Sequence, residues 1–216
     1  MKAIVIIPAW NEEKYIEQVV KKVKKIHSSV LVVDDGSTDK TTKLAKKAGA
    51  IVLTQKRNKG KGAAARKGCD YALKNGFDTI ILMDADGQHL PEDIPRFIKA
   101  LKGKDMVFGC REKNKYAPWV LTIGNWGLTV ITRILFGINI KDTQSGFRAF
   151  TTKAYKQLRW KSNDYGMESE MIFRAKGLDY TEIEIKRIYL DRTKGTSPIH
   201  GFRILKQMIA WKLKGR

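Results

Sequence analysis

The chain is poor in cysteine. Cys69 and Cys110 are its two thiols, far apart and outside any ligand motif. That excludes a disulfide framework and a structural zinc site, and fits a reducing cytosol in which both are small buried thiols. A clean run of ~20 apolar residues, the length of a transmembrane helix, is also lacking. The nearest approach is Ala117 to Ile140, broken by Asn125, Arg133 and several glycines and threonines, which reads as a helical or interfacial segment. The chain enters a strand-like run, Ile4 to Pro8, almost at once, so no signal peptide is expected. Without low-complexity tracts nothing argues for disorder. Acidic residues are few, 22 against 42 basic ones, for a net charge of +20. Such a field attracts nucleic acid, nucleotide phosphates or an anionic membrane. Lysines such as Lys21, Lys22, Lys24 and Lys25 are equally what a solvated helix face carries, so charge alone does not choose among them.

With 216 residues, no repeat and no linker, the expectation is a single domain over residues 1–216. Its first half alternates apolar runs with amphipathic stretches. Strands are expected at Ala3–Ile7, Val30–Val33, Ile51–Leu53, Thr79–Met83 and Met106–Phe108. Helices are expected at Glu12–Lys25, where Ile16, Val19, Val20 and Val23 share a face, and at Asp39–Ala48, Lys61–Lys74 and Pro91–Leu101. This order predicts an α/β fold, a mostly parallel sheet with helices on both faces. The second half is less regular. Ala117–Gly137 reads as helix, Thr143–Phe150 as a turn-rich segment leading into a short element, and Asp164–Lys176 as helix. Tyr180–Tyr189 reads as a strand, Thr193–Gly201 as a loop, and Phe202–Leu213 as a basic amphipathic helix within about 202–214.

Ligands of parallel sheets bind outside the carboxyl ends of the strands. Pro8, Asp34-Asp35 and Asp84-Ala85-Asp86 all stand where a strand should end, so they should meet in one crevice. Two carboxylates one residue apart cannot lie unpaired in a core. With the oxygen of Gln88 they form a hard-cation site for Mg²⁺ or Mn²⁺, whose charge would act on a diphosphate. Against this, an isolated Asp-x-Asp is usually a polar turn capping the next helix. Asp39 suits a helix cap, whereas Asp34 and Asp35 exceed what capping needs and could accept hydrogen bonds from a nucleobase or ribose. Trp10 could stack on a base, Asn11 could cap the first helix, and Asn58-Lys59-Gly60-Lys61-Gly62 brings cations and flexible backbone toward phosphates without a full P-loop pattern.

Taken in order, Ile7-Pro8-Ala9-Trp10-Asn11-Glu12, Val32-Val33-Asp34-Asp35-Gly36-Ser37, Asn58 to Gly62, Asp84-Ala85-Asp86-Gly87-Gln88 and Gly109-Cys110-Arg111 resemble the family 2 glycosyltransferases of the GT-A fold. Asp142-Thr143-Gln144-Ser145-Gly146-Phe147-Arg148, Asp191-Arg192 and Gly195 to Ser197 are similar to the branch acting on polyprenyl phosphates, typified by dolichyl-phosphate mannose synthase. The resemblance spans roughly Lys2 to Leu205. It implies that Pro8, Trp10, Glu12, Val33, Asp35 and Lys61, with Asp84, Ala85 and Asp86, hold a nucleotide diphosphate sugar. It implies that Asp84, Asp86 and Gln88 hold Mg²⁺ or Mn²⁺. Asp84, Asp86, Arg111 and Arg192 are the implied catalytic set, and Arg111, Arg133, Ser145, Arg148 and Arg192 the implied acceptor set. Two departures fall on the acceptor side. Leu121-Thr122-Ile123-Gly124-Asn125 lacks the arginine the family tends to carry, and Gly195-Thr196-Ser197-Pro198 lacks its Gly-Glu-Ser-Lys ending; Arg133, Lys194 or His200 are the available substitutes.

A phosphate monoester, with a second pKa of about 6, is largely ionised near neutrality, so it needs cations to place it rather than a base. Direct in-line displacement with inversion is the expected mechanism, moving a hexose such as mannose or glucose to a polyprenyl phosphate. A hydroxyl acceptor would need a base, with Glu168, Glu170, Asp142 and His200 as candidates. Of these, Glu170 reads first as a loop- or helix-orienting residue, and isolated histidines such as His89 and His200 as surface polar ones. The helix near 202–214 could lie on an anionic membrane or pack on the domain, which makes the expected location cytoplasmic and peripheral on the membrane. A nucleotidyltransferase and a basic nucleic-acid-binding module are the rival readings. Acids at three strand ends would repel a nucleic-acid backbone, so no nucleic acid is expected; the sequence sets no oligomeric state.

Overall fold

The computed structural model describes residues 1–112, 119–186 and 198–213, with backbone alone for 119–126 and 198–204. Seven strands form one sheet in the order β3-β2-β1-β4-β6-β5-β7. They are β1 (Ala3–Ala9), β2 (Val30–Asp34), β3 (Ile51–Thr54), β4 (Thr79–Leu82), β5 (Met106–Arg111), β6 (Arg148–Thr151) and β7 (Tyr180–Ile185). The first strand shows why both faces are covered. Ile4 and Ile6 enter one core, Ala3, Val5, Ile7 and Ala9 the other, each 5 % exposed or less. A continuous apolar run of this kind is what a doubly covered strand requires.

The first core is closed by α3 (Lys61–Lys74), α6 (Thr152–Leu158) and α7 (Met167–Arg174), with α5 (Trp119–Phe136) and α8 (Pro198–Leu213) beyond them. The second is closed by α1 (Ile16–Ile26), α2 (Thr41–Lys47) and α4 (Ile94–Ala100), the last preceded by a 3₁₀ turn, Pro91–Asp93. On α1 the expected face, Ile16, Val19, Val20 and Val23, is buried, worth roughly 1.5 kcal/mol or more per side chain. This helix starts later than expected. Asn11 does not cap it. At φ 53° Asn11 turns its amide oxygen to the Thr38 N–H at 2.9 Å, tying the first loop to the second. Asp39 does serve the start of α2, accepting the Thr41 N–H at 2.9 Å. Cys69 is buried and Cys110 partly so.

Two features place the site. Order reverses at β1, which has β2 on one side and β4 on the other, all parallel; this is where a doubly wound sheet opens a crevice. Then β6 runs antiparallel between β4 and β5, with Arg148 opposite both Leu82 and Phe108. An antiparallel strand starts where its parallel neighbours end. The segment before it, residues 142–147, is thereby carried to the residues that follow β4 and end β5. The sequence reading expected only a short element here, because no period marks a four-residue strand.

Candidate active site

Three layers of residues build the crevice. The first comes from β2 and the loop before α3. Asp35 is 2 % exposed and accepts from Gln55 Nε2 at 2.6 Å and from the Lys59 and Gly60 N–H groups at 2.9 and 2.7 Å. Burial raises its pKa, against those hydrogen bonds. Asp35 thus anchors the 59–60 loop. Asp34 accepts from the Ser37 and Thr42 hydroxyls and ties its own turn. Gly60, at φ 97°, lies so close to the 160–163 segment that a Cβ would sit 2.2 Å from the Asn163 oxygen. That oxygen also accepts from the Gly62 N–H at 2.8 Å. The start of α3 is therefore capped by protein, and Asn58–Gly62 delivers one group to the crevice, the Lys61 ammonium.

Lys61 is the centre of the second layer. Its Nζ stands 2.6 Å from Asp84 Oδ1 and 2.9 Å from Glu168 Oε1, and 5.9 Å from the centre of the Tyr165 ring. Burial would lower its pKa, but the two carboxylates outweigh burial and raise it. In turn Lys61 outweighs the burial of Asp84 and holds its carboxyl at about 2. For Asp86 the balance goes the other way: burial, and then the charge of Asp84, raise its pKa against the Gln88 N–H and the more weakly felt charge of Lys61. Asp86 Oδ1 accepts the backbone N–H of Gln88 at 3.0 Å. His89 lies beneath, 6 % exposed, its Nδ1 accepting the Asp84 N–H at 3.2 Å and its ring 5.0 Å from that of Phe147. Burial lowers its pKa. It is not the surface residue expected of a lone histidine.

The third layer is carried in by β6. Arg148 is 1 % exposed and gives its guanidinium to the carbonyls of Ser145, Glu168 and Thr143 at 2.9, 2.7 and 2.9 Å. Burial lowers its pKa to about 10, still charged near neutrality. It organises the site from behind and presents no donor to an acceptor, a correction to its expected contact role. Gly146 backs directly onto Asp84, where a Cβ would meet Oδ2 at 2.6 Å and Oδ1 at 2.7 Å; only glycine fits. Arg111 grips Asp142 through Nε at 2.5 Å and Nη2 at 2.8 Å. Burial pushes the Asp142 pKa up, and Arg111 more than offsets it. Glu170, as expected, orients a loop, accepting from the Lys161 and Ser162 N–H groups at 2.9 and 2.8 Å and from Arg174.

The remaining expected residues are scattered about this centre. Pro8 ends β1 beside Val33. The Val33 side chain, fully buried, packs under Gly68 of α3, so only its main chain can face a ligand. Trp10 is half-exposed, Ala85 buried, and Arg133 exposed on α5. Glu12 donates its N–H to Thr41 Oγ1 at 2.8 Å. Arg192, Lys194, Asp191 and residues 195–197 lie outside the described residues, as does the His200 side chain.

Among the described residues no three His, Cys, Asp or Glu side chains converge as a preformed metal cage. That is compatible with Mg²⁺, which takes one or two protein carboxylates and fills its sphere with water and substrate phosphates. The charges agree. Asp84, Asp86, Glu168 and Asp142 face Lys61, Arg111 and Arg148, four acids against three bases, with the Lys61 ammonium seated on Asp84 and Glu168 rather than on Asp86. A diphosphate entering here needs an added cation.

This arrangement of strands, acidic turns and a returning antiparallel strand has relatives. Residues 4–159 match the family model described as Glycosyl transferase family 2. The chain is a family 2 glycosyltransferase. It is 43 % identical to an uncharacterized protein of Methanocaldococcus jannaschii, over 97 % of this chain and 91 % of that one. It is 35 % identical to the UDP-N-acetylglucosamine–dolichyl-phosphate N-acetylglucosaminyltransferase of Methanococcus voltae, over 96 % and 95 %. It is 31 % identical to the undecaprenyl-phosphate mannosyltransferase of Micrococcus luteus, over 93 % and 88 %. In fold it matches glucosyl-3-phosphoglycerate synthase from Mycobacterium tuberculosis, crystallised with Mn²⁺ and UDP-glucose. The TM-score is 0.77 at 21 % identity, over 99 % of this chain and 78 % of that one. The GT-A expectation holds, and the nucleotidyltransferase and nucleic-acid-binding readings fall away.

Proposed function

We propose that this glycosyltransferase moves a hexose, mannose or glucose, from a nucleotide diphosphate donor to a polyprenyl phosphate, with inversion and with a divalent cation. The observation that carries the donor half is the Asp84–Asp86 pair just past the end of β4, with Lys61 ion-paired to Asp84 while burial and the Asp84 charge keep the Asp86 pKa raised. Asp84 and Asp86, with Gln88, would hold Mg²⁺ or Mn²⁺, which when bound supplies positive charge to the leaving diphosphate. Pro8, Trp10, Glu12, Asp35 and the main chain at Val33 would frame the nucleoside. Lys61 stays charged across the physiological range and keeps Asp84 ionised.

The acceptor half rests on Arg111. Its bidentate hold on Asp142 pre-orders the guanidinium, which lowers the entropy lost when it meets a phosphate. Ser145 borders the same side, and Arg133 and Arg192 would add charge. An already ionised phosphate oxygen attacks the anomeric carbon without a base. The names of the two characterised relatives support a lipid-phosphate acceptor. In the described residues no helix is long and apolar enough to cross a membrane. Yet α8 has two sides. Met208 is buried, and Trp211 stacks on Phe173 at 6.1 Å, packing the helix on the domain. Ile209 and Leu213 face outward with Lys206 and Lys212, and Ile134 of α5 shares a groove with Lys212. Such a mixed surface supports peripheral docking on the cytoplasmic membrane face.

Labelled GDP-mannose, UDP-glucose and UDP-N-acetylglucosamine, offered with Mn²⁺ and a polyprenyl phosphate, test the reading. The expected result is label in the organic-solvent extract from one donor, lost on chelation. Transfer of equal rate to an unphosphorylated alcohol or a sugar hydroxyl would reject the phosphate acceptor.

A further inference from the structure

The buried carboxylate of Glu168 has no part in the reaction as set out above. Its side chain is 4 % exposed. Oε1 takes the Lys61 ammonium at 2.9 Å; Oε2 is buried with no hydrogen-bond partner. Leaving a carboxylate oxygen dry and unpaired is costly, and such an atom in a native fold calls for a missing partner. Ser145 Oγ is in the same condition, buried and unpartnered. The main chains of the two residues are brought together by one guanidinium, that of Arg148, which holds both carbonyls. Both flank Asp84, Glu168 through the shared Lys61 and Ser145 through Gly146, whose Cα abuts the Asp84 carboxylate.

The chemistry of this pair selects its ligand. A carboxylate oxygen only accepts, and a serine hydroxyl donates or accepts. A phosphate, ionised and without a proton to give, is repelled by Glu168. A second cation would compete with the Lys61 ammonium already on that carboxylate. A neutral hydroxyl suits either atom, donating to Glu168 or accepting from Ser145. Beside the diphosphate-binding acid, the group in position to supply it is the hexose of the donor. We propose that Glu168 Oε2, aided by Ser145 Oγ, accepts a hydroxyl of the donor hexose and is a residue that sets which sugar is transferred. This rests on the donor reading above. A site built to hydrogen-bond a hydroxyl discriminates strongly against a sugar that does not present it, because the buried acceptor is then left unpaired.

The test compares binding of UDP with UDP-glucose, and GDP with GDP-mannose, by calorimetry with Mn²⁺, for the unaltered protein, Glu168→Gln and Glu168→Ala. The expected result is a change of about tenfold in the ratio of sugar-nucleotide to bare-nucleotide Kd in Glu168→Ala, with bare-nucleotide Kd moved by about twofold at most. Glu168→Gln, which keeps an acceptor oxygen, should fall between. Monodeoxy analogues of the preferred donor give a reading that needs no variant: one position should lose about tenfold in affinity for the unaltered protein, and lose nothing further in Glu168→Ala. Equal weakening of bare and sugar nucleotides would reduce Glu168 to a prop for Lys61 and overturn the proposal. So would a collapse of kcat in Glu168→Gln with KM and donor Kd unchanged and the acidic limb of the pH profile lost, the signature of a general base. So would a deoxy series in which no position matters. If no nucleotide sugar binds the unaltered protein while bare nucleotide does, the donor reading itself fails, and this inference falls with it.

Discussion

The two walls of the crevice are built on opposite plans. On the donor side, parallel strands β1, β2 and β4 end side by side, and each acid there is held by groups close to it in the sheet: Asp34 by its own turn, Asp35 by the next loop, Asp84 by the helix after that. On the acceptor side, one antiparallel strand reverses the chain, and a single buried arginine gathers three carbonyls from residues 143, 145 and 168. The donor wall is a property of many strand ends, so its fold should survive change at any one even where its chemistry does not. The acceptor wall hangs on few residues, so its stability and its chemistry should separate when those residues are altered one at a time.

The largest effect should come from the donor wall. Asp86→Ala should cut metal-dependent transfer about 100-fold or more while leaving the melting temperature unchanged or raised, because it removes a like charge from beside Asp84. Parallel transfer assays and thermal melts decide this; near-normal activity would break the metal assignment. Next, Arg148→Met should lower stability by about 3 kcal/mol, roughly 1 kcal/mol for each carbonyl left unpaired. In a chain of this size that is a fall in Tm of about 6–12 °C, measurable by scanning calorimetry. A variant that melts normally but fails to transfer would instead put Arg148 in contact with the acceptor.

Arg111→Ala tests the chemistry of that wall. Turnover should fall about 100-fold, and the Asp142 carboxylate left behind, 11 % exposed, should also cost stability, roughly 3 kcal/mol. Adding Asp142→Asn should restore stability without restoring turnover; recovery of both would make the pair structural. The smallest effect is a pH dependence. Burial pushes the Glu170 carboxyl up, but Ser162 and the donors around it hold its pKa below the ordinary value. A folded pKa below the unfolded one, about 4.3, adds stability that is present above that pH and is lost as pH falls through the folded value. Glu170→Gln should therefore be less stable by ~1 kcal/mol near neutrality, and the difference should vanish as acid protonates the native carboxylate. Melting curves from pH 7 down to pH 3 measure this.

Legibility followed the same division. Ile16, Val19, Val20 and Val23 share a face in the bare sequence and on α1. The helix Lys61–Lys74 coincides with its expected span. The acidic turns after β2 and β4 announced themselves because carboxylates that follow an apolar strand have no core to enter. Nothing comparable marked β6 or α6, where four residues of strand run straight into seven of helix, too short for either period to register. His89 was read as surface because a lone histidine carries no periodic signal, and only the packing of Phe147 against it shows its burial.

What the sequence determined by itself is the donor half: the alternation of apolar runs and helices forces a doubly covered parallel sheet, and such a sheet gathers Pro8, Asp35 and Asp84 at one edge. What only the tertiary structure decided is which charges are spent. On paper Arg148 looks like a ligand for the acceptor and Asp142 like a candidate base. In the fold one is consumed by carbonyls and the other by Arg111, while Glu168, unremarkable in its helix, keeps an unpartnered oxygen on a carboxylate that shares Lys61 with Asp84. The pairings of Arg148 with Glu168, Arg111 with Asp142 and Lys61 with Glu168 cross 20, 31 and 107 residues of chain, and no local pattern encodes them.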